Sequence, residues 1–118
     1  MIEAPQTRFL APNFSLPNLD GDLISLSAQR GQVVVINFWA TWCPPCRAEM
    51  PALQRIYSEY QDRGLIVLAI NLTSQDRLNA INPFIQNNNL TFPILLDQEG
   101  IVSHLYKVTA LPTTFFIN

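Results

Sequence analysis

Val33-Val34-Val35-Ile36-Asn37-Phe38-Trp39 is β-branched or aromatic at every position but one, with hardly any alternation between apolar and polar residues. A run of this kind is a β-strand covered on both faces, because neither side of it can be left to water. From Cys43 onward the apolar positions change to helical spacing. Cys46, Met50, Leu53, Tyr57 and Tyr60 fall on one face, with Arg47, Gln54, Arg55, Ser58 and Asp62 largely elsewhere. Gly64 closes that helix, as a glycine past the last turn commonly does. Leu65-Ile66-Val67-Leu68-Ala69-Ile70 then repeats the buried-strand pattern. Strand, helix and strand in this order predict a right-handed parallel βαβ unit, and with it an α/β fold whose central sheet is flanked by helices.

The rest of the chain builds around that unit as a single domain, residues 1–118, since 118 residues with 48% hydrophobic composition suffice for one core and not for two. Phe14 to Leu16 and Leu23 to Leu26 are short apolar pieces joined through Asn18-Leu19-Asp20-Gly21-Asp22, whose Asp-Gly favours a tight reversal, so a leading β-hairpin is expected. Asp76 to Gln86 reads as a helix despite Pro83, Pro93 to Leu96 as a short extended piece, and Ile101 to Tyr106 as a short helix after Glu99-Gly100. Thr113 to Ile117 reads as a last strand entered through Leu111-Pro112. Pro51 interrupts the long helix without ending it, removing the hydrogen bond to the Arg47 carbonyl.

Composition excludes several classes. Seven Lys plus Arg stand against nine Asp plus Glu, for a net charge of -2, and Lys107 is the one lysine, so no basic run can track the phosphates of a nucleic acid. Met1 to Leu10 includes Glu3, Gln6, Thr7 and Arg8, which is neither a signal-peptide core nor a membrane span. Two cysteines two residues apart cannot staple a long loop, and with the distant His104 they supply at most three of the four ligands of a structural zinc site. No metal and no cofactor is expected beyond the cysteine pair itself, and His104 is assigned no role.

That pair is Trp42-Cys43-Pro44-Pro45-Cys46. With Cys43 at the start of the helix, Cys46 lies almost one turn later on the same side, so the two sulfurs reach disulfide distance. Cys43 sits at the helix mouth, where backbone N–H groups and the positive end of the helix dipole favour a thiolate, whereas Cys46 begins the apolar stripe. Cys43 is therefore the expected nucleophile and Cys46 the resolving thiol. Arg47 adds positive charge nearby. Pro44 and Pro45 contribute no N–H donors, which predicts a moderately, not extremely, acidic Cys43.

On these residues the sequence resembles the TlpA/ResA-like branch of the thioredoxin superfamily, related to the AhpC/TSA proteins. The resemblance runs through Val34 to Pro51, and continues in Ala4-Pro5 or Ala11-Pro12-Asn13-Phe14 near the start, in Phe92-Pro93-Ile94-Leu95-Leu96-Asp97 and in Leu111-Pro112-Thr113-Thr114-Phe115. It implies a thioredoxin-like fold and a bacterial thiol-disulfide oxidoreductase outside the cytoplasm, membrane-anchored or secreted. Such a protein keeps exported protein thiols reduced, apocytochrome c among them, and is recharged by a thiol electron donor. The resemblance also implies a cis Leu111-Pro112 peptide facing the cysteines, beside which a substrate segment pairs with the backbone. Trp42 reads either as loop packing or as a wall of that groove, and Trp39 as core.

The chain departs from the family in two respects. Thioredoxins proper carry a buried Asp at the position of Asn37, and some relatives in this branch carry a Glu where Ser74 stands. The proton acceptor for Cys46 is thus left open between Glu49, Asp76 and water, with Asn37 as a neighbour. The complete fold also adds a strand and a final helix after the position of Asn118. Without them Thr113 to Ile117 is expected to be an edge strand through which two chains could pair as a dimer. A peroxiredoxin-type thiol peroxidase shares the superfamily but needs a Pro and a Thr at set distances before its cysteine, which Ala40-Thr41-Trp42 does not supply. A Cu(I) carrier could use two thiolates, though such relatives space them differently and add a His.

Overall fold

The computed structural model describes residues 2–4 and 9–118, with side chains from Ala11 onward. In chain order the elements are β1 (Ile2–Ala4), β2 (Phe9–Ala11), β3 (Ser15–Pro17), β4 (Leu23–Ser25), β5 (Val33–Trp39), α1 (Pro44–Tyr60), β6 (Leu65–Asn71), α2 (Leu78–Asn87), β7 (Ile94–Leu96), α3 (Ile101–Leu105) and β8 (Thr113–Ile117). The central sheet runs β7-β6-β5-β8. β5, β6 and β7 are parallel, and β8 returns antiparallel against β5. This is the thioredoxin-like arrangement, with the expected hairpin present as the antiparallel pair β3–β4. The antiparallel pair β1–β2 ahead of it is an addition to the sequence reading. Strands of three residues offer too short a pattern to be read as periodic.

The unalternating apolar run of β5 resolves into two interleaved faces. Val35 and Trp39 pack with Cys46, Met50 and Leu53 of α1 and Ile81 of α2. Val34, Ile36 and Phe38 pack on the opposite side with Phe14, Leu16, Leu26, Val102, Tyr106 and Ile117. β6 divides in the same way, Val67 and Ala69 toward α1 and Leu68 and Ile70 toward α3. Period-two geometry turns a uniformly apolar string into two half-cores, and each large side chain fully withdrawn from water contributes about 1.5–3 kcal/mol. Asn37 is the polar member of the inner set, and it lies on the α1 side between Val35 and Trp39.

Two boundaries differ from the sequence reading. α2 starts at Leu78 and not at Asp76, because Asp76 and Arg77 are extended and the Asp76 carboxylate is engaged elsewhere, as described below. Tyr60 ends α1 exposed, with Arg63 over its ring, so the buried stripe stops at Leu53 and half-buried Tyr57, whose ring meets Phe92 edge-on at 6.1 Å. Gly64 adopts a left-handed φ of 88° between the helix and β6, a conformation open to glycine without steric cost. β8 is the edge of the central sheet as expected, yet β1 runs close beside it without joining its hydrogen-bond ladder.

Asp97 anchors the end of the sheet to α3. It is fully buried, its carboxylate accepts from Val102 N at 3.3 Å and Ser103 N at 2.8 Å, and its own N–H donates to the Asn71 carbonyl at 3.0 Å. Removing the carboxylate strands two buried amides. Asp97→Ala should therefore destabilise the domain by about 2 kcal/mol, and Asp97→Asn, which keeps one acceptor oxygen, by less. Urea unfolding midpoints of the two variants check this, and equal midpoints for Asp97→Ala and the parent would contradict it.

Candidate active site

The parallel pairing of β5 with β6 places Trp39 level with Asn71, so both strands end together and their following loops leave from one edge of the sheet. The β5 loop carries Ala40-Thr41-Trp42-Cys43, and Cys43 is the N-cap of α1. Cys43 and Cys46 form a disulfide with their Cα atoms 5.3 Å apart. Pro44 and Pro45 occupy the first two helical positions, where their missing N–H groups would have had no intrahelical partner. The first amide of the helix able to meet the cap sulfur is Cys46 N, which donates to Cys43 Sγ at 3.3 Å.

Both cysteines are buried in this oxidised state, Cys43 at 3% exposure and Cys46 at 0%, so exposure hardly separates them. Position does. Cys43 lines a groove of about 310 Å³ together with Trp42, Pro44, Pro45, Leu72 and Leu111, and Cys46 does not reach it. Cys46 packs behind, with Met50 and Trp39. Trp42 is 53% exposed, so it is not core, but its indole N–H donates to the Gln75 carbonyl at 2.8 Å and holds the ring as a wall of the groove. Leu111-Pro112 is cis, and Leu111 forms the facing wall with Val108, Thr109 and Ala110.

Asn37, Glu49 and Thr114 are brought together, but at a different groove, between α1 and β8. Asn37 Nδ2 donates to Glu49 Oε1 at 2.6 Å and to Thr114 Oγ1 at 2.9 Å, and Asn37 Oδ1 is buried without a hydrogen-bond partner among the described residues. Glu49 lies three residues beyond Cys46 on α1, on the same side of the helix. Arg47 is exposed on the first turn, outside the residues that line the cysteine groove, and His104 is exposed on α3.

Asp76 turns away from the role of proton acceptor. Its Oδ2 accepts from Thr41 N at 2.7 Å and Asn71 Nδ2 at 3.0 Å, and its Oδ1 from Thr41 Oγ1 at 2.7 Å and Arg77 N at 2.8 Å. Burial pushes its carboxyl upward in pKa, but the donors from Thr41, Asn71 and Arg77 outweigh that and hold it below the ordinary value. Thr41, Leu72 and Gln75 were not singled out in the sequence. A Thr directly before Trp-Cys, and a polar loop directly after the second buried strand, were the signals available.

Among the described residues no group of three or more His, Cys, Asp and Glu side chains is gathered as a metal site, and no helix is long and apolar enough to cross a membrane. A sequence model of the AhpC/TSA family matches residues 9–118. The chain is 45% identical over 109 residues to the thioredoxin-like protein YneN of Bacillus subtilis, covering 92% of this chain and 63% of that protein. It is 41% identical over 111 residues to the thiol-disulfide oxidoreductase ResA of Oceanobacillus iheyensis, covering 91% of this chain and 57% of that protein. The chain thus spans less than two thirds of the length of these curated relatives. The crystal structure of StoA from Bacillus subtilis superposes with a TM-score of 0.79 at 32% identity, over 92% of this chain and 81% of that one. With the fold, the cysteine pair and these similarities in agreement, the chain belongs to the AhpC/TSA family and has a thioredoxin-like fold.

Proposed function

We propose that this domain is a thiol-disulfide oxidoreductase that reduces protein disulfides. The observation that carries the reading is the placement of the pair: Cys43 at the helix mouth and in the groove, Cys46 one turn on and behind it. In the reduced state the Cys43 thiolate attacks one sulfur of a partner disulfide, forming a Cys43–partner bond and releasing the other partner sulfur as a thiolate. The Cys46 thiolate then attacks Cys43 Sγ, reforms the Cys43–Cys46 disulfide and releases the second partner thiolate. Two electrons pass from the domain to the partner, and a thiol donor returns them. No cofactor beyond the disulfide enters this cycle.

The Cys46 proton is assigned to Glu49, a reading supported by its position three residues further along α1 and by the Asn37 amide that holds it. Trp42, Pro44, Pro45 and Leu111 line the groove in which the partner segment would lie, and Pro112, outside that lining, follows Leu111 through the cis peptide. The family resemblance supports a site of action outside the cytoplasm, with exported protein thiols, apocytochrome c included, as substrates. Pairing of two chains through β8 would have to displace β1 from beside that strand.

Equilibration in graded dithiol/disulfide buffers, with free thiols counted by alkylation, tests the reading. A reversible two-electron transition near the thioredoxin value of about -270 mV supports a reductase, and one near about -120 mV would make the domain an oxidant instead. Cys43→Ser should abolish exchange. Cys46→Ser should accumulate the mixed disulfide, visible by mass, and a variant that turns over without Cys46 would overturn the division of roles.

The prolines make a second test. Pro45→Ala restores an N–H at the second helical position, where an N-cap side chain can accept it, so the Cys43 thiolate should gain a donor. Its pKa should fall, measured by thiolate absorbance titration of the reduced protein against the parent. An unchanged or raised value would show that helix-mouth amides do not set the acidity of this sulfur.

A further inference from the structure

We propose that Asp76 is a positioning residue for Cys43: by holding Thr41 through both its backbone amide and its hydroxyl, it sets where the attacking sulfur stands relative to the groove walls. This inference rests on the thiol-exchange reading and adds to it a residue 30 or more positions away in sequence that touches neither sulfur.

The stretch between β5 and α1 is only Ala40 to Cys43, and the structure fastens it along its length. Leu72 N donates to the Trp39 carbonyl at 2.9 Å where the stretch begins, and Cys43 N donates to the Ala40 carbonyl at 3.3 Å where it ends. Between these, Thr41 gives both of its donors to Asp76, and Trp42 gives its indole N–H to Gln75, the residue beside Asp76. One short segment, 75–76, therefore holds the two residues that immediately precede the cysteine. The same segment contributes Gln75 to the groove.

The carboxylate is suited to this by its valence. A carboxylate offers about four lone-pair positions, and Asp76 has four donors, two on each oxygen, all neutral. Asn71 orients it from the end of β6: Asn71 is fully buried, its Nδ2 donates to Asp76 and its Oδ1 accepts from the Thr73 hydroxyl, and turning the amide over would set its oxygen against the acceptor-only carboxylate. With every position filled, Asp76 has no lone pair free to receive a proton from a thiol. An asparagine there would present its NH₂ to at least one N–H donor, either Thr41 N and the Asn71 amide or Arg77 N. Asp76→Asn therefore breaks the clamp although it barely changes the size of the side chain.

The test compares a disulfide that must dock with one that need not. Reduction of insulin, recharged by dithiothreitol, requires a chain segment to lie in the groove, whereas reaction of reduced Cys43 with bis(2-hydroxyethyl) disulfide requires only an accessible thiolate. Asp76→Asn should lower kcat/KM for insulin by about tenfold, the scale expected when a reacting atom is displaced, and leave the small-disulfide rate within about twofold. Thr41→Val, which removes only the hydroxyl, should give part of the same loss, and the double variant should be no worse than Asp76→Asn alone. Equal losses with both disulfides would mean a general effect on folding or on the thiolate and would overturn the proposal, as would no loss with insulin or additive losses in the double variant. A parent chain that reduces neither disulfide would overturn the exchange reading, and this one with it.

Discussion

The parallel pairing of β5 with β6 is the constraint from which the site follows. Because Trp39 and Asn71 are level, the loop bearing the cysteines and the loop bearing Leu72 to Asp76 emerge side by side, and side chains 35 residues apart in sequence meet at hydrogen-bond distance. A register shift of one residue would exchange the two faces of β5, sending Asn37 to the α3 side and Ile36 and Phe38 under the cysteine helix. The two half-cores forbid that shift, since each fills one side of the same strand. Apolar packing thus fixes the geometry in which the polar contacts of the site can form.

Much of the fold was legible because its information is local. The unbroken β-branched run of β5, the helical spacing from Cys46 to Leu53 and the second apolar run of β6 each have a pattern long enough to declare their type, and the order strand–helix–strand then leaves one handedness. β1 and β2 were not legible, since three residues cannot show a period and no Asp-Gly reversal lies between them as one does between β3 and β4. The start of α2 was misplaced because Asp76 is a common first-turn residue, and nothing nearby in sequence reveals that its carboxylate is committed to Thr41 across the sheet end.

The site divides along the same line. The Cys43–Cys46 pair, the two prolines and the Leu111-Pro112 turn could be read from spacing and resemblance, and the structure gathers Cys43 and Leu111 at one groove. Asn37 was singled out as the departure from a buried Asp and Glu49 as a candidate proton acceptor, but their union with Thr114 depends on the β5–β8 register, where Asn37 faces Thr114. Whether a polar side chain becomes a proton acceptor or a clamp is decided by how many donors reach it. That number is a tertiary quantity, and no window of sequence contains it.

The link from Glu49 through Asn37 to Thr114 has a mechanical meaning. Thr114 follows Pro112 by two residues, and Glu49 follows Cys46 by three, so a single buried amide rivets the helix that carries the disulfide to the strand that carries the opposite jaw of the groove. The two jaws therefore move as one frame, and the span between them is a property of the scaffold. The side bounded by Trp42, Leu72 and Gln75 is pinned as well, by its own hydrogen bonds to the β5 loop, so the groove resembles a vice whose two cheeks are both bolted to the bench.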